Sequence, residues 1–223
     1  PWYRDKDIRM TDGFPWAQST EYRSRFICDY YREKIDCMDY VYSAYRKTAD
    51  YAMKSDSDSP LEKRMKEMTQ LNFDWFMQNL LERKDRMSMY SGLEVRVPFC
   101  DYRIAEYMYN VKWEYKDYQG REKGLLREAM KDYLPEKVLS RKKSPYPKSY
   151  NPNFLNAVTE RLRNIINSPD CRITELVKRE ELEKLLRHEE NIQWYGQLMN
   201  LPQIIAYFIQ LDYWLRKFSI KLL

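Results

Sequence analysis

Apolar positions recur at helical spacing over much of the chain. Between residues 19 and 54 they return every three or four residues with one slip, at Tyr22, Phe26, Ile35, Met38, Tyr42, Tyr45 and Ala49. The spacing continues from 61 to about 81, at Leu61, Met65, Met68, Leu71, Trp75 and Phe76. Because this spacing gives a helix one apolar face, it predicts helices over both ranges. The Met and aromatic stripe of the second helix favours a core position over a cofactor site.

Turn and cap residues mark where these helices begin and end. The clearest linker is SDSDSP, residues 55–60. It ends in Ser59-Pro60-Leu61-Glu62, which predicts a capping Ser, Pro at the first helical position and a Glu that closes a capping box. Gly92 is the usual left-handed stop after a short helical segment over 86–90.

The stretch GLEVRVPFCD, residues 92–101, is predicted to be extended because it is rich in β-branched residues and contains a proline. Asp101 stands where a helix over 102–110 needs its cap. Gly120 and Gly124 bracket the start of a further predicted helix over 122–133, which breaks at Pro135. The remaining predicted helices cover 153–167, 173–188 and about 192–218. The last contains Pro202 and should start or kink there.

The sum predicts an all-α fold, mainly helical with short extended loop segments, in a single helical domain over 1–223. Its parts are an irregular start over 1–18, a helical region over 19–54, the linker over 55–60, a middle region over 61–150, which holds the family resemblance given below, and C-terminal helices over 153–223. We expect residues 141–153 to be irregular because they hold three prolines. The chain begins with Pro1 and not with Met, so we expect it to be part of a longer protein.

Composition excludes several classes of protein. Gly accounts for only 5 of 223 residues, which argues against β-barrels and Gly-rich nucleotide loops. No run of 18 apolar residues and no signal peptide is present, so we expect neither membrane insertion nor secretion. The four cysteines form no C-x-x-C pair, which is typical of a reduced cytoplasmic protein with incidental thiols. The single histidine, His188, cannot by itself supply a zinc site or a Ser-His pair, so we expect no metal site in this chain.

The charge balance is mildly basic at +5, which alone does not indicate a nucleic-acid partner. No acidic residue lies between Glu136 and Glu160. The basic segment (residues 137–148) occupies this interval and carries Lys137, Arg141, Lys142, Lys143 and Lys148. It is a candidate polyphosphate or anion site, or else a solvated basic loop. At most one of Lys142 and Lys143 should reach inward, because desolvating two adjacent ammonium groups is costly.

A second candidate site lies in the extended stretch. Alternate residues of an extended segment project to opposite sides, so Glu94 and Arg96 should face the same way. The pair could orient a charged small molecule, or the two side chains could simply neutralise each other on the surface. Cys100 is a poor candidate nucleophile because no histidine lies near it in the sequence to lower its pKa.

Three stretches resemble the C-terminal synthetase domain of glutamine-hydrolysing asparagine synthetases of the asparagine synthase B type. They are LLERKDRMSMYSGLEVRVPFCD (80–101), GREKGLLREAMKDYLPEKVLSRKKSPYP (120–147) and the terminal IIAYFIQLDYWLRKF. The resemblance covers most of the chain from about Leu71 to Tyr150. Pro1-Trp2-Tyr3 is similar to the end of the family's G-G-Y-P-W-Y segment.

This resemblance implies the C-terminal helical portion of an adenine-nucleotide α-hydrolase-like (ATP pyrophosphatase) synthetase domain. The implied reaction activates the side-chain carboxylate of aspartate with ATP and Mg²⁺, giving β-aspartyl-AMP and pyrophosphate. Ammonia from glutamine hydrolysis then forms the amide. A β-lactam-forming or peptide-modifying relative would use another acyl substrate.

The resemblance also implies roles for individual residues. Lys143 takes the position of the family's active-site lysine, which stabilises charge on the phosphates and the tetrahedral centre. Arg96 would hold an anionic group, and Asp101 would cap and order its loop. Glu94 and Lys123 also fall in the matching blocks. Arg141 would either support the phosphates or neutralise the loop.

Other parts of the family pattern are absent from this sequence. The S-G-G-x-D-S pyrophosphate loop and the G-E-x-x-D-E acidic segment that would hold Mg²⁺ do not occur, and Lys112 replaces a frequent Pro. We therefore expect the chain alone to be inactive. Its implied partners are the glutaminase domain and the ATP-pyrophosphatase half, with aspartate, glutamine or ammonia, and ATP as ligands. We expect a cytoplasmic protein without nucleic-acid or membrane partners.

Two other classes of function remain open from the residues alone. A basic helical nucleic-acid-binding module would use the basic segment, with Tyr146 and Tyr150 as stacking platforms. A non-catalytic interaction domain would need no chemistry at all.

Overall fold

The computed structural model describes residues 10–17, 19–142, 151–189, 194 and 199–222. Over these ranges the chain is mainly helical and contains no β-strand, which confirms the helical part of the predicted fold class. The α-helices are α1 (Thr20–Ser24), α2 (Asp29–Lys34), α3 (Cys37–Tyr51), α4 (Pro60–Leu71), α5 (Gln78–Tyr90), α6 (Tyr102–Asn110), α7 (Trp113–Lys116), α8 (Gly124–Ala129), α9 (Glu136–Leu139), α10 (Pro152–Ile166), α11 (Arg179–Leu186) and α12 (Leu201–Lys217). None of the helices described here is long and apolar enough to cross a membrane.

The described residues group into two compact units. The first unit holds Met10 and residues 45–142, and the second holds residues 11–44 and the described residues from 151 onward. The two units are described separately below. The single domain over 1–223 stays a prediction.

The second unit has its core between α10, α11 and α12. Leu162, Leu182 and Ile205 are fully buried there, one from each helix. Phe26 joins this core from α1's C-terminal side, with its ring 5.4 Å from that of Trp194 and 5.5 Å from that of Phe208. The predicted helix over 153–167 is confirmed as α10, which begins behind the Asn151 cap.

An isolated antiparallel bridge between Ile27 and Val177 interrupts two predicted helices. The backbone N–H of Cys28 donates to the carbonyl of Leu176 at 2.9 Å, and that of Lys178 donates to the carbonyl of Phe26 at 2.8 Å. Cys28 and Lys178 have non-helical backbone, with ψ of 142° and 125°, which a continuous helix cannot contain. The region predicted to be helical over 19–54 is therefore helical but interrupted, and the single helix predicted over 173–188 is wrong. The first is divided into α1, α2 and α3, and the second into a 3₁₀ turn (Ile173–Glu175) followed by α11.

Asp212 on α12 is fully buried and holds the start of that 3₁₀ turn. Its Oδ1 accepts from the backbone N–H groups of Arg172 at 2.9 Å and Ile173 at 3.1 Å. Its Oδ2 accepts from Nε of Arg216 at 2.7 Å. The helix itself begins at Leu201 and not near 192, with Pro202 in its first turn as predicted.

The first unit is built on a continuous helical run from α4 through a π-helical turn (Asn72–Met77) into α5. The predicted break after about residue 81 is wrong. Ser59 caps α4 by accepting from the N–H of Glu62 at 3.1 Å, as predicted. The Glu62 carboxylate does not close the capping box, because it accepts from the N–H of Trp113 at 2.9 Å instead.

The π-helical turn redirects the predicted apolar stripe. Met65, Met68 and Leu71 are buried, whereas Trp75 and Phe76 within the turn are 43% and 45% exposed. A π-turn holds more residues per turn than an α-helix, so positions that follow a 3.6-residue period leave the buried face. The core prediction is confirmed for Met65, Met68 and Leu71 and wrong for Trp75 and Phe76, and also for Leu61 at the start of α4, which is exposed.

Residues 55–60 form an ordered turn inside the first unit. The carboxylate of Asp58 accepts from the N–H of Ser55 at 2.7 Å and from Nζ of Lys66, on α4, at 2.8 Å. These two donors hold the pKa of Asp58 below its usual value, the Lys66 ammonium contributing most. The polar composition that predicted a linker therefore reflects hydrogen bonding within a turn.

Candidate functional site

The loop that carries Glu94, Arg96 and Asp101 starts from a Schellman-type stop at the end of α5. The N–H of Leu93 donates to the carbonyl of Ser88, and that of Gly92 to the carbonyl of Met89, each at 2.9 Å. Gly92 has φ +70°, the left-handed conformation that this stop requires. The stop predicted at Ser91-Gly92 is confirmed, although it ends a much longer helix than expected.

Beyond the stop, residues 93–97 form neither helix nor strand, and Pro98–Cys100 form a 3₁₀ turn, so the predicted extended stretch is wrong over 98–100. Glu94 and Arg96 project the same way and form an ion pair, with Oε1 of Glu94 and Nη2 of Arg96 2.9 Å apart. Both side chains are largely exposed, at 64% and 84%. This geometry favours mutual neutralisation on the surface.

Asp101 caps α6, as its position predicts. Its Oδ1 accepts from the backbone N–H of Arg103 at 2.9 Å, and the Arg103 guanidinium contacts Oδ1 at 3.0 Å and Oδ2 at 2.6 Å. The Arg103 guanidinium and then its N–H hold the pKa of Asp101 below its usual value. Asp101 therefore orders the end of the loop, and both of its oxygens already have donors.

The thiol of Cys100 contacts a thioether and no base. Its Sγ lies 3.5 Å from Sδ of Met77. His188, the histidine of the chain, lies in the second unit, with Nε2 3.3 Å from Oγ1 of Thr159. The four cysteines are free thiols.

Lys123 stands at the start of α8, beside a tightly folded loop. Gln119, Gly120 and Lys123 all have left-handed backbone, with φ of 55°, 65° and 56°. The loop returns so closely over α8 that a Cβ on Gly124 would lie 2.5 Å from the carbonyl oxygen of Tyr118. The observed helix, α8, begins at Gly124 and ends at Ala129, so it is shorter at both ends than the predicted helix over 122–133. Lys123 itself is exposed.

Arg127 on α8 joins three parts of the chain around the start of the basic segment. Its Nε donates to the carbonyl of Glu122 at 2.7 Å, Nη1 donates to that of Leu139, and Nη2 donates to that of Arg141 at 3.0 Å. Sequence reasoning missed Arg127. Its acceptors are backbone atoms, which leave no signal in the sequence.

A small cleft of about 140 Å³ lies beside this junction. Arg121, Arg127 and Lys131 line it together with Glu128 and Glu136. Nζ of Lys131 and the carboxylate of Glu128 form an ion pair at 2.5 Å. The cleft therefore carries mixed charge with a cationic excess of one.

The described part of the basic segment is exposed, with Lys137 on α9 and Arg141 and Lys142 beyond it. Lys143, Lys148, Tyr146 and Tyr150 lie outside the described residues. The described contacts thus gather the predicted site residues in two groups. Glu94, Arg96 and Asp101 share one loop. Lys123 and Arg141 lie on two segments that Arg127 joins, because it donates to the carbonyls of Glu122 and Arg141.

Comparison with known proteins agrees with the resemblance seen in the sequence. The family model described as "Asparagine synthase" matches residues 1–216. The chain is 40% identical over 225 aligned residues to "Asparagine synthetase [glutamine-hydrolyzing] 3" of Bacillus subtilis (strain 168), which aligns with 100% of this chain and 36% of the relative.

Two further relatives match shorter stretches. "Asparagine synthetase [glutamine-hydrolyzing] 1" of the same organism is 37% identical over 92 residues, 41% of this chain and 15% of the relative. "Probable asparagine synthetase [glutamine-hydrolyzing]" of Acanthamoeba polyphaga mimivirus is 35% identical over 77 residues, 34% of this chain and 14% of the relative. The chain therefore spans about a third, or less, of the length of each of these relatives. Because the family model matches nearly its whole length, the chain belongs to the asparagine synthase family.

Proposed function

We propose that this chain forms part of the synthetase site of a glutamine-hydrolysing asparagine synthetase with an ATP-pyrophosphatase-like fold. In the proposed reaction the side-chain carboxylate of aspartate attacks the α-phosphorus of ATP, forming β-aspartyl-AMP and releasing pyrophosphate. Ammonia from glutamine then displaces AMP. The observation that carries the proposal is the 40% identity to the Bacillus subtilis synthetase 3 across the whole chain.

In this proposal Lys143 is the cation of the basic segment that acts on the phosphates. Lys143 stabilises charge on the departing pyrophosphate and on the tetrahedral centre, while Arg141 and Lys123 add positive potential near it. A lysine suits this role because its point charge tolerates a leaving group that moves. Arg96 contributes when an anionic substrate replaces Glu94 as its partner, and Asp101 keeps that loop in place through its bonds to Arg103.

The proposal assigns Mg²⁺ to carboxylates that this chain does not supply. Within the described ranges no three His, Cys, Asp or Glu side chains come together in a way that could hold a metal ion. A divalent cation that bridges phosphates needs carboxylate ligands, which the basic segment lacks. When bound, Mg²⁺ would neutralise phosphate charge alongside Lys143.

The proposed partners are the glutaminase domain and the ATP-pyrophosphatase half of the same synthetase. The exposed apolar stretch (residues 87–107) supports this. Six of its large side chains are more than 60% exposed, namely Met87, Tyr90, Leu93, Phe99, Tyr102 and Tyr107. Soluble proteins rarely leave so much apolar surface in water, so we assign the ATP-pyrophosphatase half as the part that covers it.

Pyrophosphate release tests the proposal. The chain alone should release no pyrophosphate with ATP, Mg²⁺ and aspartate, and a synthetase that contains it should do so in an aspartate-dependent way. In that synthetase Lys143→Ala should lower kcat by ~10²–10³, the usual effect of removing a preorganised charge. Lys142→Ala is the matched control and should change kcat by less than about tenfold.

The outcomes separate the alternatives. Turnover by the chain alone would contradict its proposed dependence on the rest of the synthetase. Equal effects of the two lysine variants would contradict the special role of Lys143. Pyrophosphate release that requires a carboxylate other than aspartate would indicate a β-lactam-forming or peptide-modifying relative.

A further inference from the structure

We propose that Arg127 is a positioning residue that fixes residues 139–142, the end of α9 and the start of the basic segment, on which the proposed action of Lys143 depends. This inference rests on the proposed function for the role of Lys143. The part that concerns the backbone rests only on the described contacts of Arg127, in which a single guanidinium group donates to three separate carbonyls.

The three carbonyls lie before a helix or at its end, where the hydrogen bonds of the helix supply no donor. Glu122 precedes α8, Leu139 is the last residue of α9, and Arg141 lies beyond it. The last carbonyls of a helix have no partner within the helix, and a cation near them also interacts favourably with the helix dipole. Arg127 therefore supplies the hydrogen bonds that fix the direction in which the chain leaves α9.

Only an arginine can make this set of bonds from one side chain. A guanidinium presents its donors in a rigid planar fork, so Nε, Nη1 and Nη2 can each address a different acceptor. Lysine keeps the charge but has one nitrogen, which cannot span the carbonyls of Glu122, Leu139 and Arg141. The substitution Arg127→Lys thus separates the geometry of the contact from its charge.

The contacts assign Arg127 first to positioning. Three of the five N–H groups of its guanidinium donate to carbonyls that belong to the segment before α8, to α9 and to the basic segment. The carbonyl of Arg141 lies two residues before Lys143 in the sequence. Arg127 would act on the reaction by holding this described start of the basic segment.

The first measurement is amide hydrogen exchange over residues 139–142 in the synthetase that contains this chain. Arg127→Lys should speed exchange there at least about fivefold, because local opening no longer breaks the three bonds. Arg83→Lys is the matched control, since Arg83 is exposed on α5 in the same unit, and should leave this exchange unchanged. Unchanged exchange in Arg127→Lys would overturn the inference.

The second measurement asks whether Arg127 acts through Lys143. Arg127→Lys should lower kcat for aspartate-dependent pyrophosphate release about tenfold or more while the KM for aspartate stays within about twofold. In the Lys143→Ala background the same substitution should have little further effect, because both variants then lack the positioned ammonium. Faster exchange with an unchanged kcat, or an equal loss in both backgrounds, would contradict the positioning role.

The two proposals fail in different ways. If the unsubstituted synthetase releases no pyrophosphate with aspartate, or if Lys143→Ala is fully active, the proposed function is wrong. The exchange measurement still decides whether Arg127 fixes the start of the basic segment. If synthesis proceeds and depends on Lys143 while Arg127→Lys behaves as the unsubstituted protein does, the inference about Arg127 alone is wrong.

Discussion

The buried side chain of Asp212 is stabilised by the hydrogen-bond donors that surround its carboxylate. Two backbone N–H groups and the Arg216 guanidinium satisfy its carboxylate. Asp212→Ala leaves all three donors without their acceptor, so it should lower the free energy of unfolding by about 3 kcal/mol. Arg216→Gln should cost about 1 kcal/mol or less, because the Arg216 side chain is 43% exposed and its charge is partly solvated. Urea unfolding of both variants measures the difference, and equal losses would contradict this account.

Asp101 makes the stability of the first unit depend on pH. Its pKa lies below the ordinary value because Arg103 binds the charged form. The ionised carboxylate therefore stabilises the folded state above the ordinary aspartate pKa of about 4, and this stabilisation is lost as the pH falls through the lower folded-state value. Asp101→Asn keeps a capping oxygen but removes the charge. The variant should be less stable than the unsubstituted chain at pH 7, and the difference should shrink towards pH 3. A difference that grows on acidification would contradict the assignment.

Residue types at helix ends could be predicted from the sequence, whereas the partners of long side chains could not. Ser59 and Asp101 cap their helices because a cap acts on the N–H two or three residues ahead, which the sequence displays. Glu62 turns to the backbone of Trp113 and Arg127 to three carbonyls. These partners are backbone atoms, and most of them are distant in sequence, so no residue pattern marks them.

At the scale of elements, two glycines of the first unit are needed for different physical reasons. Gly92 has a left-handed φ but open space around it, while a Cβ on Gly124 would press against the backbone of Tyr118. Gly92→Ala should therefore cost about 1 kcal/mol of backbone strain. Gly124→Ala should cost about 3 kcal/mol, because backbone atoms must shift to admit the methyl group. Thermal unfolding of the two variants ranks them, and a larger loss for Gly92→Ala would contradict the distinction.

Helix existence could be predicted, but the interruptions inside helical patterns could not. α6 and α10 match their predicted ranges within one residue because their caps and their stop signals are local. The bridge between Ile27 and Val177 joins residues 150 positions apart, and it overrides helical spacing on both sides. The π-helical turn over Asn72–Met77 is accompanied by a hydrogen bond from Nε1 of Trp75 to Oγ1 of Thr48 at 3.0 Å, again a contact between distant positions.

At the scale of the whole molecule, the candidate site was easier to predict than its geometry. The quoted motifs identified the family, and the comparisons confirmed it. The motifs could not show that Glu94 and Arg96 form an ion pair with each other, nor that Arg127 ties α8 to the basic segment. A motif records which residues are present, and the site depends on the partners that each side chain finds in the fold.

Because the exposed apolar stretch is open to solvent in the chain alone, we expect one double substitution to have opposite effects in the chain alone and in the longer synthetase. Lysine at positions 87 and 107 (Met87→Lys with Tyr107→Lys) replaces apolar side chains that are 68% and 70% exposed, so the chain alone should become more soluble and bind less of a hydrophobic dye. In the longer synthetase the same pair of charges should be buried without partners when the ATP-pyrophosphatase half covers the stretch. Pyrophosphate release and the unfolding temperature should then both fall.

Tyr40→Lys provides the control for this comparison, because Tyr40 is 68% exposed and lies on α3 in the second unit, outside the stretch. It should improve the solubility of the chain alone without lowering the activity of the synthetase. Sedimentation and dye binding measure the first effect, and pyrophosphate release measures the second. If the double variant leaves the synthetase as active and as stable as Tyr40→Lys does, residues 87–107 face water in the whole enzyme and the assigned covering is wrong. If the synthetase alone is impaired by the double variant, the apolar side chains are exposed in this chain because their partner surface lies in the rest of the protein.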